Sequence, residues 1–265
     1  MKNLIYQYWD GIIPIGSKAG QDNIKEYAKR IGAEYLFEDN PHYFKNDFGD
    51  ISFAFGKFKP VYETKFHEYD NVLVLDTDIF AKDNLKESIF ESFKAEAGVS
   101  TESFQPKFRF KSNTPFTHDA DERWAAAIKE KWKVDMPRDK DNLLKVYNGG
   151  LMLFSRAGLI KAKEKFVPIR EYIGYILSKR LHKLYARDQN YLHAMLLVAK
   201  MNYVELDNGW NSFMHYLGNA KMVKRPVNDM RTPNTKFVHI QLRGADNYDA
   251  KKLWRITNLP VEQSL

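Results

Sequence analysis

The sequence predicts an α/β fold in which a mostly parallel, doubly wound sheet is flanked by helices. Near the amino terminus, segments with strand character alternate with segments of helical periodicity in the order β-α-β-α-β, which is typical of such a sheet. The run Asn71–Leu75 is rich in valine and leucine and carries no charge, as expected of an inner strand buried on both faces. A chain of 265 residues can bury one large core, so a single domain is expected.

Each element follows from a local pattern. The first strand, Asn3–Trp9, alternates apolar and polar residues before a turn at Asp10-Gly11. Asp22 can cap the first helix, whose apolar residues follow helical spacing until Gly32 ends it. The later elements are expected, in chain order, as a strand at 33–37, a helix at about 58–69, strands at 71–75, 96–101 and 151–154, helices at 157–165, 168–183 and 188–200, and strands at 203–206 and 236–240.

Composition excludes several classes of protein. Hydrophobic residues make up 44% of the chain and charged residues 28%, and no apolar run approaches the roughly 20 residues that span a bilayer. The segment Asn3–Trp9 is too short and too aromatic for a signal-peptide core, so a cytoplasmic protein is expected. The absence of cysteine excludes disulfides and thiolate chemistry, so any metal must bind Asp, Glu, His or carbonyl groups.

The positive charge is concentrated in one segment. Lys and Arg exceed Asp and Glu by 41 − 34 = 7, and residues 156–187 contain nine basic and two acidic residues, a net of 9 − 2 = +7. Tyrosine and aliphatic residues interleave with these charges, which suits a surface that faces an anionic polymer or lipid headgroups. A solvated helical face with an ordinary buried stripe gives the same pattern more often. Peripheral membrane contact through 156–187 is therefore one of two interpretations.

Two carboxylates follow the apolar strand Asn71–Leu75. Asp76 and Asp78 are separated by Thr77, and the carboxyl end of an inner strand faces the crevice in which open α/β sheets bind ligands. Hard oxygen ligands suit Mg²⁺ or Mn²⁺ that carries a substrate diphosphate. An Asp-rich turn that caps the next helix would use the same residues, but the strand before them favours a metal site.

Four short segments of the chain follow one another in an order that is typical of a known protein family. They are Val72-Leu73-Val74-Leu75-Asp76-Thr77-Asp78, Tyr147-Asn148-Gly149-Gly150-Leu151-Met152-Leu153-Phe154-Ser155, Asp188-Gln189 and Phe237-Val238-His239-Ile240. In these segments the chain resembles nucleotide-sugar glycosyltransferases with the GT-A fold, and it is most similar to the glycogenin-like family 8 and its bacterial galactosyltransferase relatives. The resemblance covers most of residues 1–245, and order and spacing are more specific than any single motif.

The resemblance implies transfer of a hexose from a nucleotide sugar, with UDP as the expected nucleotide, to a hydroxyl of a glycan or another acceptor. Mn²⁺ or Mg²⁺ would be held by Asp76, Asp78 and His239 and would neutralise the charge of the expelled diphosphate. A lone histidine on an apolar strand is otherwise usually a core residue. No nucleic acid is expected as a partner.

The resemblance also implies contacts to both substrates. Asn148, Asp188 and Gln189 would orient hydroxyls of the sugar or the acceptor, although aspartate before a helix is commonly its N-cap. Trp210-Asn211 would belong to the acceptor site, unless Trp210 is a core residue. The expected donor-binding residues are Tyr6, Tyr8 and Trp9, which would stack on the base or pack in the core, and Lys57 (with Lys59 as a rival), Thr77, Gly149, Gly150, Arg243 and Lys251.

Residues 102–147 are polar, rich in lysine and interrupted by prolines, and a regular element is expected there only around 124–132. So long a stretch is expected to be a lid or an acceptor-facing insertion. The domain, residues 1–265, is therefore divided into a nucleotide-binding half (1–101), an acceptor-binding half (102–245) and a C-terminal tail (246–265).

One motif departs from the family. Its carboxyl-terminal motif places glycine three positions after the histidine, followed by Lys-Pro-Trp, whereas Gly244 stands five positions after His239. Lys251, Lys252 and Trp254 follow later and without proline. The family's phosphate contacts therefore do not transfer directly to this chain.

The stereochemical expectation is retention. An inverting enzyme needs a general base on the face opposite the leaving group, and no Asp or Glu in the sequence is clearly placed for that role. In the family that this chain resembles, the leaving diphosphate is thought to help deprotonate the acceptor. Asp188 and Gln189 would support the oxocarbenium-like sugar.

Three other functions share part of this sequence pattern. A haloacid-dehalogenase-type phosphatase also begins with a strand that ends in Asp-x-Asp, but Phe80 stands where its motif has Thr or Val. A sugar-phosphate nucleotidyltransferase needs an arginine in the loop after the first strand, and residues 11–16 lack one. A basic binding module for an anionic polymer is supported by the +7 segment, but no nucleic-acid motif accompanies it.

Overall fold

The chain divides into two units, each discontinuous in sequence. The first comprises Met1–Pro41, Tyr69–Phe93 and Leu206–Leu265, and the second comprises His42–Glu68 and Lys94–Glu205. The computed structural model describes residues 1–43, 49–110, 115–214, 229–240 and 249–260.

The elements are given in chain order. The strands are β1 (Asn3–Trp9), β2 (Glu34–Asp39), β3 (Asn71–Leu75), β4 (Ile79–Ala81), β5 (Ala97–Thr101), β6 (Tyr147–Ser155), β7 (Tyr203–Glu205), β8 (Ser212–Met214) and β9 (Phe237–Ile240). The α-helices are α1 (Ile15–Arg30), α2 (Lys59–Tyr62), α3 (Gln105–Arg109), α4 (His118–Trp132), α5 (Arg156–Lys165), α6 (Ile169–Ser178), α7 (Asp188–Val198) and α8 (Ala250–Asn258).

Three parallel strands form the larger sheet of the first unit. β1 lies between β2 and β3, and Tyr6 stands opposite Val74 on β3 and Leu36 on β2. All five residues of β3 are buried, as its uncharged sequence predicts. The predicted bounds of β1 and β3 are confirmed.

Helix α1 begins seven residues before the predicted cap at Asp22. Pro14, in an extended conformation, takes the N-cap position. Because Gly16 and Gly20 occupy buried positions of the first turns in place of large apolar residues, the spacing of apolar residues does not indicate a helix there. Gly20 allows a close approach, because a Cβ there would lie 2.0 Å from the main-chain oxygen of Thr77. The helix therefore packs directly against the turn that carries Asp76 and Asp78.

A small three-stranded sheet completes the first unit. β9 lies between β4, to which it is antiparallel, and β8, to which it is parallel. Leu253 and Ile256 of α8 pack into a core cluster with Phe80, Val238 and Ile240. The three-residue strands β4 and β8 and the helix α8 were not predicted.

In the second unit, β5 pairs with β6 in antiparallel and with β7 in parallel orientation, and its register on β6 shifts between Val99 and Ser100. The insertion 102–147 contains more regular structure than predicted. It includes α3, and α4 starts at His118, where the hydroxyl of Thr117 accepts a hydrogen bond from the amide of Ala120. The spacing of apolar residues does not reveal a polar N-cap of this kind, so the start of α4 was predicted too late in the sequence.

Two predicted helices are shorter than expected. The helix expected at 58–69 is split into α2 and a 3₁₀ helix over Thr64–Glu68, because Glu63 between them is extended. Val61 and Phe66 are nevertheless both buried. The helix expected at 168–183 ends at Ser178, since Arg180 has a left-handed backbone with φ 54°.

The predicted fold class is confirmed. The strand pairs β1–β2, β1–β3 and β5–β7 are parallel and β5–β6 is antiparallel, and helices flank the strands. Within the described part of the chain, no helix combines the length and the apolar character that crossing a membrane requires.

Candidate functional site

Asp76 and Asp78 occupy a tight turn at the carboxyl end of β3. The main-chain oxygen of Asp76 accepts a hydrogen bond from the amide of Ile79 at 3.3 Å, and that of Asp78 accepts one from the amide of Ile240 at 2.9 Å. Thr77 between the two aspartates is buried. The turn is therefore held by the backbone of β9 as well as by a hydrogen bond from the first residue of β4.

His239 reaches the same turn from β9. It stands opposite Ile79 in the antiparallel β4–β9 pair, and its Nε2 lies 3.1 Å from Oδ1 of Asp78. One ligand atom each from Asp76, Asp78 and His239 fall within 4.8 Å of one another. The three residues that the resemblance implied as metal ligands thus lie together in the first unit.

The chemistry of this cluster suits a divalent cation. Nδ1 of His239 lies 3.1 Å from Oδ1 of Asn211, and because an amide oxygen can only accept, Nδ1 carries the proton. In the neutral imidazole, Nε2 then presents its lone pair to the carboxylate of Asp78. Two acceptors at 3.1 Å repel each other unless a proton or a cation lies between them, and two carboxylates with one oriented imidazole suit Mn²⁺ or Mg²⁺.

The sequence predicts Asn211 at the acceptor site and leaves Trp210 as either an acceptor-site or a core residue. The structure gives Asn211 the contact to His239 described above. Trp210 is buried and packs edge-on against Phe237 with ring centroids 5.2 Å apart, so it is a core residue.

The aromatic residues of β1 differ in exposure. Tyr6 is fully buried, and its hydroxyl donates to Glu38 at 2.9 Å, which makes it a core residue. Tyr8 is 7% exposed. Trp9 is half-buried, and its Nε1 donates to the main-chain oxygen of Ile12 at 3.1 Å. Base stacking therefore stays a prediction that concerns Tyr8 and Trp9.

The second unit contains a buried ion pair that the sequence did not predict as a pair. Nζ of Lys57 lies 2.8 Å from Oδ2 of Asp188 and donates to the main-chain oxygen of Gly149 at 2.9 Å. The rival Lys59 instead pairs with Glu63 at 3.6 Å, within α2 and its cap. Of the two candidate lysines, Lys57 is the one that contacts other predicted site residues.

Gly149 is required by the close packing around Asp188. A Cβ at Gly149 would lie 2.7 Å from Oδ2 of Asp188 and 3.3 Å from Cα of Gln189. Arg187 is the N-cap of α7, so Asp188 belongs to its first turn, where the helix dipole favours a negative charge. Gln189 lines a small cavity of the second unit together with Asn190 and His193.

Both ends of the Asn148 carboxamide are engaged. Its Nδ2 donates to Oε1 of Glu102 at 2.8 Å, and its Oδ1 accepts from the amide of Gly150 at 2.8 Å. Glu102 is 3% exposed and was missed, although an acidic residue directly after a strand that was predicted to end at residue 101 is the signal that would have found it. The second unit thus gathers Asn148, Gly149, Asp188 and Lys57.

The predicted phosphate contacts are the least defined. Lys251 is exposed in the first turn of α8, and Trp254 of the same helix is 47% exposed and donates its Nε1 to Asp83. The amide of Lys252 donates to Asp249 at 2.7 Å. Arg243, together with Gly244, lies outside the described residues.

Part of the basic segment is compensated by acidic residues from elsewhere in the second unit. Lys161 pairs with Glu96 at 2.7 Å, and Lys179 pairs with Glu130 at 2.5 Å. These pairs lower the effective charge that the segment presents to an anionic surface.

His193 is a buried histidine beside Gln189 in α7. Its ring centroid lies 4.4 Å from that of Tyr147. Burial, with the positive charges of Arg109 and Lys145, lowers the pKa of His193 to about 3. The folded state therefore favours the neutral imidazole.

Acidification should destabilise the protein through this histidine. Because the folded pKa of about 3 lies below the ordinary 6.5, the contribution of His193 is complete above pH 6.5 and is lost as the pH falls toward 3. From this residue the free energy of unfolding should fall by up to about 1.4 kcal/mol per pH unit. Urea denaturation at several pH values between 7 and 4 gives the free energy of unfolding as a function of pH. This free energy should fall less steeply with decreasing pH in His193→Phe than in the wild type. An equal pH dependence in both proteins would contradict the assignment.

The comparisons with known proteins concern the fold. No protein-family model matches the sequence, and no curated protein matches it either. A glycosyltransferase involved in the glycosylation of the major capsid of PBCV-1 is 12% identical, with 90% of this chain and 93% of that chain covered and a TM-score of 0.51. The galactosyltransferase LgtC, in complex with donor and acceptor sugar analogs, is 14% identical, with 98% of each chain covered and a TM-score of 0.52. The chain therefore shares the GT-A fold with these two glycosyltransferases.

Proposed function

We propose that this protein is a metal-dependent glycosyltransferase that moves a hexose from a UDP-sugar to a hydroxyl of a glycan or another acceptor. The observation that carries the proposal is the cluster of Asp76, Asp78 and His239. It follows the carboxyl end of a buried parallel strand, in a chain whose fold is that of GT-A glycosyltransferases. Nothing in the described residues favours a phosphatase or a basic binding module instead.

In this proposal the first unit holds the donor diphosphate. Asp76, Asp78 and His239 bind the cation, and Asn211 keeps the imidazole in the orientation and tautomer that ligation requires. When bound, Mn²⁺ or Mg²⁺ supplies Lewis-acid neutralisation of the charge that develops on the leaving diphosphate. Tyr8 and Trp9 are proposed to stack on the base.

The second unit is proposed to orient the sugar and the acceptor. Lys57 engages Oδ2 of Asp188, so that Oδ1 of the same carboxylate can accept a hydrogen bond from a sugar hydroxyl. Asn148 and Gln189 would orient hydroxyls through their amides. Glu102 and the amide of Gly150 fix the Asn148 carboxamide, which prepares one geometry for the substrate.

Three further assignments belong to the same proposal. Thr77, Gly149, Gly150, Lys251 and Arg243 are assigned to the donor, with the two basic residues at its outer phosphate. Segment 156–187 is proposed to face an anionic acceptor or a membrane surface. The reaction is proposed to retain the anomeric configuration, with Asp188 and Gln189 beside the oxocarbenium-like sugar.

Thermal unfolding against a panel of nucleotide sugars, with and without Mn²⁺, tests the proposal. A ligand that binds the native state raises its stability by about 2.7 kcal/mol at a hundredfold excess over Kd. We expect stabilisation by UDP-hexoses that requires Mn²⁺, followed by release of UDP when acceptor glycans are added. Proton NMR of the first product from an α-linked donor should show an α-linkage. Stabilisation that is indifferent to the metal, or absent for every nucleotide sugar, would contradict the proposal.

A further inference from the structure

Gln7 is a fully buried amide in the middle of the first unit. It lies on β1, between β2 and β3. Its Nε2 donates to the main-chain oxygen of Asp76 at 3.0 Å, and its Oε1 accepts from the hydroxyl of Tyr35 on β2 at 2.9 Å. Burying an amide without hydrogen-bond partners lowers the stability of the folded state. The two hydrogen bonds offset this cost for Gln7.

The Asp76 carbonyl determines which way the amide of Gln7 points, and Tyr35 pairs with its other end. Burial raises the pKa of the Tyr35 hydroxyl, which therefore remains a protonated donor at neutral pH. The main-chain oxygen of Asp76 can only accept, so the amide nitrogen of Gln7 faces Asp76 and the amide oxygen faces the Tyr35 hydroxyl, which donates to it. The chain of hydrogen bonds from Tyr35 through Gln7 to Asp76 has one allowed direction.

The two ends of the Asp76–Asp78 turn are anchored differently. The end at Asp78 is held by a main-chain bond from Ile240 at 2.9 Å, which no side-chain substitution removes. The end at Asp76 is held by the Gln7 side chain at 3.0 Å and by the longer bond from the amide of Ile79 at 3.3 Å. Of these three bonds, only the one from Gln7 can be removed by substituting a side chain.

We propose that Gln7, held in place by its hydrogen bond from Tyr35, is a positioning residue for the carboxylates of Asp76 and Asp78. The inference rests on the proposed function, since it concerns the affinity of the metal site. A ligand residue must keep its oxygen within about 0.2 Å of the metal's preferred coordination distance. Mutation of partners outside the ligand shell commonly lowers metal affinity by about 10–100-fold. Gln7 acts on the backbone of a ligand residue and touches no ligand atom itself.

The test is the dissociation constant of Mn²⁺, measured by electron paramagnetic resonance with and without UDP. Gln7→Met keeps the volume of the side chain and removes both hydrogen bonds, and it should raise Kd about tenfold. The matched control is Asn71→Leu. Asn71 is likewise buried and donates across the same β1–β3 pair, to Asn3 at 2.9 Å, but at the end of β3 away from the turn. Asn71→Leu should lower the melting temperature to a similar extent and leave Kd within twofold of the wild type.

Tyr35→Phe provides a milder variant that removes one hydroxyl. It should raise Kd by a smaller factor, and the double variant with Gln7→Met should match Gln7→Met alone, because the two residues act through one chain of bonds. If Gln7→Met does not fold, Tyr35→Phe carries the test against the same control.

Three outcomes would overturn the inference. An unchanged Kd in folded Gln7→Met, or in Tyr35→Phe where Gln7→Met does not fold, would remove the positioning role while the metal site stands. An equal rise of Kd in Asn71→Leu would show a general loosening of the sheet. A wild type that binds no Mn²⁺ even with UDP would refute the proposed metal site itself, a result distinct from the other two.

Discussion

Replacing Asp78 with asparagine should reduce transferase activity about a thousandfold, which corresponds to about 4 kcal/mol of transition-state stabilisation. The amide has nearly the shape of the carboxylate but no charge, so the site binds a divalent cation less tightly. With less metal bound, the charge of the leaving diphosphate is neutralised less well. Steady-state release of UDP in saturating Mn²⁺ measures the loss, and titration of Mn²⁺ shows whether excess metal recovers part of it.

Asp83→Asn is the matched control. Asp83 stands five residues after Asp78 and accepts a hydrogen bond from Trp254, so its substitution removes one negative charge from the same segment without touching the metal cluster. Its activity should stay close to that of the wild type. Wild-type protein that keeps most of its activity in excess chelator would contradict the metal assignment directly.

Replacing Lys57 with methionine should lower the free energy of unfolding by about 3–5 kcal/mol. The Lys57 and Asp188 side chains are 5% and 13% exposed and lie 2.8 Å apart, so removing the lysine leaves a buried carboxylate without its counter-charge. Urea denaturation at neutral pH measures the loss. The double variant Lys57→Met with Asp188→Asn should recover much of the stability, because the uncompensated charge is then gone.

Lys59→Met separates this effect from the loss of any lysine in the segment. Lys59 pairs with Glu63 at a longer distance of 3.6 Å, and the Glu63 side chain is 36% exposed. Because Glu63 remains partly in contact with water when Lys59 is removed, we expect Lys59→Met to cost less, about 1 kcal/mol. Equal destabilisation by Lys57→Met and Lys59→Met would show that the Lys57–Asp188 pair contributes no more to the free energy of unfolding than the Lys59–Glu63 pair.

The strands that carry the metal-type residues were predictable because their signals are local. A parallel inner strand is buried on both faces, so the uncharged run Asn71–Leu75 identifies β3 without knowledge of its neighbours. The same holds for the alternating pattern of Asn3–Trp9. Carboxylates that directly follow such a strand must lie at its carboxyl end, which is why Asp76 and Asp78 could be singled out.

The errors occur where local patterns fit more than one structure. Apolar residues three and four apart suit an α-helix, but the segment from 58 to 69 buries Val61 and Phe66 with a short helix, an extended Glu63 and a 3₁₀ turn. The start of α1 was missed because small residues replace the apolar ones where the helix meets another backbone. The strands β4 and β8 have three residues each, too few for any periodicity.

The sequence alone determined the fold class, the strand that ends in Asp76-Thr77-Asp78 and the residue types that a divalent cation would need. The tertiary structure decided which residues meet. His239 is 161 residues from Asp78, Gln7 is 69 from Asp76 and Lys57 is 131 from Asp188. Periodicity reports only which face of its own element a side chain occupies. A partner so distant in sequence is fixed by how the strands and helices pack, so the Gln7–Asp76 bond, the Asn211–His239 bond and the Lys57–Asp188 pair could be found only there.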